Sequence, residues 1–327
     1  MDVCRIIAHH RDAYRITTLS GGQNAVNAVL SGRLRHQAVR STDLPAVGDF
    51  VRARLPDDGN AVIESILPRR TLLLRRAAGE RPDDQVIAAN LDVVFVMVGA
   101  DHDFNARRVE RYLAAVWESG ATPVVLLNKA DVCDDLDGKL AALRAAAIGV
   151  DVLALSALTA EGLDALQPYL KEGATAGFVG SSGVGKSTLL NRLLGRDAQA
   201  TNAVREHDSR GRHTTTHREL FMLPGGACVI DTPGMREFQL SDEAAAIDVV
   251  FADIEELASQ CRFADCAHLA EPGCAVREHV DADRLASYHK LLREVRYEES
   301  RGDPAAAHER KRQGRIGAKA LRRMFKR

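Results

Sequence analysis

The sequence predicts a multidomain protein, with an N-terminal β-barrel, a central α/β domain on a parallel sheet and a C-terminal, mostly helical domain organised around a metal. Three observations carry that prediction. Short β-like runs broken by turn residues occupy residues 1 to about 68, and apolar runs alternate with helical stretches across the middle of the chain. Three cysteines and a histidine then crowd between 261 and 274. Alternation of strand and helix implies a parallel sheet covered on both faces. A chain of 327 residues is long for one domain. The expected divisions are 1–74 for the barrel, 75–84 for a linker, 85–241 for the α/β domain and 242–327 for the last domain with its tail.

In the first domain the β-like runs are Ala25 to Leu30, Gly32 to Val39, Val47 to Leu55 and Ala61 to Leu67. Asp57-Asp58-Gly59 is a hairpin signal between the last two, and Val47-Gly48-Asp49-Phe50 reads as a turn feeding a strand. Such a barrel is compatible with an oligonucleotide-binding (OB) fold, and Arg33, Arg35, Arg40, Arg52 and Arg54 could line its binding face or be ordinary solvated residues. Arg75 to Asp84, charged and containing Gly79 and Pro82, reads as the linker.

The middle domain opens with Leu91 to Val98, a fully apolar strand, and Asn105 to Ser119, a helix with Val109, Tyr112, Leu113, Val116 and Trp117 facing inward. Further strands are expected at Val124 to Leu127, Val152 to Leu155, Ala176 to Val179 and 227–230, with helical stretches around 135–148 and 162–171. Ligands of such sheets bind beyond the carboxyl ends of the strands, so the residues there are the ones to read.

After Ala176 to Val179 comes Gly180-Ser181-Ser182-Gly183-Val184-Gly185-Lys186-Ser187, which fits the phosphate-loop pattern G-x-x-x-x-G-K-[ST] at every fixed position, followed by the helical Thr188 to Leu194. Its backbone N–H groups and the helix N-terminus converge on one phosphate-sized space. Lys186 would reach the β- and γ-phosphates and Ser187 would hold Mg²⁺. Strand 124–127 ends in Asn128-Lys129-Ala130-Asp131, whose Asp131 carboxylate can accept two hydrogen bonds from guanine that adenine cannot offer. Asn128 can support O6 and the loop, while the Lys129 stem covers the ring. Strand 152–155 ends in Ser156-Ala157, and strand 227–230 in Asp231-Thr232-Pro233-Gly234, which places a carboxylate near Mg²⁺ and a glycine near the γ-phosphate.

In most P-loop GTPases the phosphate loop precedes the base-reading motifs. Here Asn128 to Asp131 and Ser156-Ala157 come first, so the domain is circularly permuted. With this order, with Gly211-Arg212-His213-Thr214-Thr215-Thr216 and with the cysteine pattern below, the chain resembles the RsgA family (ribosome small subunit-dependent GTPase A) over nearly its whole length. The resemblance implies an OB barrel, a GTPase domain that binds GTP and GDP, a zinc domain, and the small ribosomal subunit with its rRNA as partner. It makes 211–216 the switch I segment, with Thr214 or Thr215 on Mg²⁺, Gly234 N–H sensing the γ-phosphate, and His213 as the candidate water-orienting group. Met235 stands where a glutamine would orient water, so slow intrinsic turnover is expected.

Cys261-x₄-Cys266-x-His268-x₅-Cys274 supplies three thiols and an imidazole, a set suited to tetrahedral Zn²⁺, with Pro272-Gly273 turning Cys274 back. The same spacing matches the RsgA zinc motif. Asp283 to Glu299 reads as a helix with Leu285, Tyr288, Leu292 and Val295 on one face. Residues 310–327 hold nine Lys/Arg and no Asp/Glu, so a net charge of −1 for the whole chain leaves −10 on the rest, a segregation suited to polyanion contact.

Six scattered or clustered cysteines do not resemble a secreted disulfide framework, and no apolar run approaches a membrane span. A cytoplasmic monomer without membrane contact is the expectation. Two other functions use the same loop: a nucleotide-gated RNA-binding scaffold in which hydrolysis is incidental, and a phosphatase acting on a small metabolite.

Overall fold

The computed structural model describes residues 1–10, 13–19, 25–56, 59–76, 84–195, 218–231 and 244–302. The chain divides into two units, Met1–Gln239 and Leu240–Arg327.

The first unit begins with β1 (Asp2–His10), β2 (Ala13–Thr18), β3 (Val26–Leu30), the short helix α1 (Gly32–Gln37), β4 (Phe50–Arg54) and β5 (Ala61–Ile66). These five strands pair in the order β1-β2-β3-β5-β4, and β4 returns to β1 to close a barrel in which β3 and β5 run parallel. Cys4, Ile6, Ile16, Val51 and Ile63 fill its interior. Gly48 turns the chain into β4 at φ 95°, and a Cβ there would lie 2.1 Å from the Ala89 carbonyl oxygen, which explains why the turn needs glycine.

One expectation for the barrel is corrected. The run Gly32 to Val39 is not a strand: Ser31 Oγ accepts the Leu34 N–H and caps a helical turn, so Arg33 and Arg35 are exposed on α1. No clean alternation marks strands β1 and β2, because Arg5, His9 and Arg15 interrupt their apolar residues. Arg5 is nevertheless buried, and its guanidinium donates to Thr175 Oγ1 at 2.6 Å while stacking over Phe50.

An antiparallel ribbon follows, β6 (Leu72–Arg76) with β7 (Asp84–Ala89), so both ends of the 75–84 stretch are strand. The α/β part contains β8 (Val93–Gly99), α2 (Ala106–Glu118), β9 (Thr122–Asn128), α3 (Leu136–Ala146), β10 (Val152–Ala154), β11 (Thr175–Gly180), α4 (Lys186–Leu194), β12 (Arg218–Met222) and β13 (Cys228–Asp231). The helix around 162–171 is instead a 3-10 turn, Leu163–Tyr169, with Pro168 inside it. Proline withholds the N–H that a regular helix would need there.

Strands run in the order β10-β9-β8-β11-β13-β12, parallel except for β12. Every residue of β8 and of β11 is buried, as strands covered on both faces require. Phe95 and Phe178 stack at 5.7 Å in a core shared with Leu126, Leu189 and Val229. Strand β12 also pairs with β1, through Ala8↔Glu219 and His9↔Arg218, so barrel and α/β sheet form one hydrogen-bonded surface.

The second unit is helical among the described residues: α5 (Ala244–Val250), α6 (Ala252–Ala258), α7 (Ala275–His279) and α8 (Ala282–Gly302). The buried stripe of α8 is Arg284, Tyr288, Leu291 and Val295, with Leu285 and Leu292 at its margin. Arg284 enters that stripe because Asp253 takes its guanidinium at 2.6 and 2.8 Å, the Val250 carbonyl accepts at 3.0 Å, and the Phe251 ring lies beneath. Among the described residues no helix is long and apolar enough to cross a membrane.

Candidate functional site

Parallel pairing puts the carboxyl ends of β8, β9, β10, β11 and β13 on one side, and with them Asn128 to Asp131, Ser156-Ala157, the phosphate loop and Asp231. Asn128, at the end of β9 and buried, joins them. Its Nδ2 donates to the Val184 carbonyl in the phosphate loop at 2.7 Å, and its Oδ1 accepts the Ala157 N–H at 2.9 Å. The phosphate loop and the loops that follow β9 and β10 are thus held to one side chain. Gly185 makes this approach possible: at φ 105° its hypothetical Cβ would lie 2.2 Å from Asn128 Nδ2. Gly180, at φ 148°, is as tightly placed, with a Cβ position 2.4 Å from the Met97 carbonyl oxygen.

The phosphate loop itself runs from β11 into α4, with Gly185 as the N-cap and no side chain capping the first turn. Its leading N–H groups therefore face the loop mouth, where an anion is favoured. Lys186 Nζ donates to the carbonyls of Gly180 and Ser181, each at 2.7 Å, which folds the ammonium over that mouth. Ser182 and Gly183 are exposed, Val184 is buried, and Ser187 and Thr188 are half-buried in α4.

After β9, Lys129 adopts a left-handed conformation at φ 68°, and Ala130 and Asp131 sit in the 3-10 turn that follows. The Asp131 side chain is exposed. Ser156 is buried, and its Oγ accepts the Thr159 N–H at 3.1 Å. Asp231 is buried at the end of β13. His213, Thr214, Thr215, Gly234 and Met235 lie outside the described residues, as does the basic tail from 303.

Sequence reading missed two contributors. Arg192 of α4 donates to the carbonyls of Ala157 and Leu158, tying the phosphate-loop helix to the 156–158 loop. The loop after β8 places Asp101 against Lys129 Nζ at 2.6 Å and Asp103 against Ser181 Oγ at 2.5 Å. Burial alone would raise the Asp101 carboxyl, but the Lys129 ammonium and the Asp103 N–H hold it below its ordinary value. Arg108 and Ser181 lower Asp103 in the same way. The available signal was positional, since both carboxylates follow an apolar strand directly.

In the second unit, Cys261, Cys266, His268 and Cys274 present their ligand atoms within 4.8 Å of one another. Cys261 follows α6 and Cys274 caps α7. Gly273, at φ 72°, makes the turn, and its carbonyl accepts the Arg262 N–H at 3.1 Å, bringing Cys274 back beside Cys261. Backbone N–H groups of Val276 and Ala275 hold the Cys261 thiol below its ordinary value, whereas burial pushes Cys266 up to about 11. The Glu271 carboxylate takes the N–H groups of Leu269, Ala270 and Ala267, which orders the turn between the ligands. Such a cluster can hold a metal ion.

The family model for RsgA GTPase matches residues 66–241, more than half of the chain. The chain belongs to the RsgA GTPase family. It is 50% identical over 299 residues to "Small ribosomal subunit biogenesis GTPase RsgA 2" of Lactiplantibacillus plantarum, covering 90% of this chain and 83% of that protein. The crystal structure of YjeQ from Thermotoga maritima superposes with a TM-score of 0.66 at 26% identity, covering 90% of this chain and 98% of that one. YloQ, described as a circularly permuted GTPase, gives 0.62 at 25% identity, covering 90% and 95%. As an RsgA member the chain is a GTPase, a hydrolase of the circularly permuted kind, and the strand order explains how permutation leaves the site intact. Each motif still sits at its own strand end on the same side of the sheet.

Proposed function

We propose that this GTPase binds GTP with Mg²⁺ at the strand-end pocket, hydrolyses it to GDP and phosphate while bound to the small ribosomal subunit, and serves as a late maturation checkpoint. Asn128 carries the reading, because one buried amide joins the phosphate loop to the two loops on the base side. Gly180 to Thr188 take the phosphates, with Lys186 compensating their charge. Ser187, Asp231 and a threonine from 214–215 would hold Mg²⁺, which would supply charge neutralisation at the phosphates. Asp131 reads guanine, Lys129 and Ala130 border the base, and Ser156 and Ala157 close its far edge. Gly234 senses the γ-phosphate and His213 orients water.

The cysteine cluster is proposed as a structural Zn²⁺ site. Tetrahedral Zn²⁺ with Zn–S near 2.3 Å and Zn–N near 2.1 Å needs ligand atoms about 3.5–3.8 Å apart. The Cys261 and Cys274 sulfurs are 3.9 Å apart and lie 3.6 and 3.4 Å from His268 Nδ1. The C-terminal unit is accordingly read as a zinc domain, and the barrel strand order supports an OB-type fold that binds rRNA. The proposed setting is the cytoplasm, with the protein as a monomer.

The deciding experiment is steady-state GTP hydrolysis with purified small subunits, large subunits or neither. Stimulation by small subunits alone is expected. Equal stimulation by both would remove the proposed partner, and turnover of small phosphoesters ahead of GTP would remove the nucleotide reading.

A further inference from the structure

We propose that the loop joining β8 to α2 positions both halves of the nucleotide pocket, Asp101 by fixing Lys129 and Asp103 by fixing Ser181. The loop is itself well tied. Asp101 Oδ1 accepts the Asp103 N–H at 3.3 Å, the Asp101 carbonyl accepts the Phe104 N–H at 3.1 Å, and Ala100 N–H donates to the Asn128 carbonyl at 2.8 Å. Arg108, in the first turn of α2, grips both Asp103 carboxylate oxygens at 2.9 and 3.0 Å. Gly99 leaves room for the fold-back, since a Cβ there would come within 2.6 Å of Asp101 Oδ1.

The consequence is preorganisation. A free lysine stem has rotamer entropy to lose on ordering. With its ammonium held by Asp101 at 2.6 Å and the pair only partly exposed, Lys129 loses that freedom on folding rather than on binding the base. Asp103 acts on the other half by fixing the hydroxyl of the phosphate loop's second residue, while Arg108 offsets the negative charge it brings near the phosphates. Both aspartates are positioning residues, and their assignment rests on the nucleotide reading above.

The test measures GDP affinity, with a fluorescent GDP analogue displaced by unlabelled GDP, in wild type, Asp101→Asn, Lys129→Met and the double variant. Each single change should weaken GDP about three- to tenfold, and the double change no more than the worse single one. The kcat of Asp101→Asn at saturating GTP should stay within about twofold, and Asp101→Glu should recover part of the lost affinity. Asp103→Ala and Ser181→Ala should be non-additive in the same way, the serine change serving as the milder variant. Additive losses, or a silent Asp101→Asn, overturn the proposal. Asp131→Asn is carried in parallel: if it fails to trade guanine for xanthine recognition, the nucleotide reading has failed, and if it succeeds while Asp101→Asn is silent, only the positioning role has failed.

Discussion

In the proposed site Asp131 and Asn128 divide the work of base recognition between an exposed carboxylate and a buried amide, and substitutions should separate the two. Asp131→Asn should weaken GTP about 100-fold or more, because an acceptor facing the guanine amine is replaced, and should improve binding of xanthosine triphosphate. Competition binding with the two nucleotides measures this directly. Asn128→Ala removes two loop-joining hydrogen bonds from a buried position, so GTP should bind about 10- to 100-fold more weakly with no gain for xanthosine triphosphate. These residues were legible because their chemistry is encoded at fixed short spacing behind apolar strands. Asp101 and Asp103 were not, since their partners lie 28 and 78 residues away and meet them only once the sheet has formed.

Elements divide in the same way into those whose sequence pattern is local and those that tertiary contacts decide. Fully buried β8 and β11 and the capped helix α2 were readable from their apolar runs and from Asn105, whose side chain accepts the Arg108 N–H. Helix α1 was misread because R-L-R-H-Q alternates like a strand, and the Ser31 cap was its sole local signal. The entry to β4 holds a pair no periodicity reveals: Asp49 is fully buried, takes Arg69 through both carboxylate oxygens at 2.8 and 2.7 Å, and accepts the Ala46 N–H at 2.8 Å. Asp49→Ala should cost about 3–5 kcal/mol, because Arg69 would be left without its carboxylate, and denaturant unfolding of the purified variant measures the loss. In the second unit, chelation of the proposed metal should melt α6 and α7, which the cysteine cluster joins, while GTP affinity is retained, since none of the four candidate ligands belongs to residues 1–239. Loss of helical circular dichroism without loss of nucleotide binding is the expected pair of readings.

At the scale of the molecule the charge is segregated, with nine cations in the last eighteen residues of a chain whose net charge is −1. Such a segment supplies little to a folded core and much to a polyanion contact, whose strength falls as salt removes the advantage of counterion release. The proposed catalytic set lacks a glutamine after Gly234, where Met235 cannot hold water by a strong hydrogen bond. Turnover of the free protein should therefore be slow, and a partner that fixes the 211–216 segment should raise it. If the basic tail contributes to docking on rRNA phosphates, truncation at Pro304 should leave intrinsic turnover unchanged but reduce stimulation by small subunits. The reduction should be greater at 50 mM than at 200 mM salt, since the tail's share of the binding rests on counterion release and shrinks as salt rises; roughly 10³-fold losses over that range accompany six or more contacts. Hydrolysis assays on full-length and truncated protein at both salt concentrations decide the matter. Unaltered stimulation after truncation would assign the docking energy to the barrel and the cysteine-bearing unit instead.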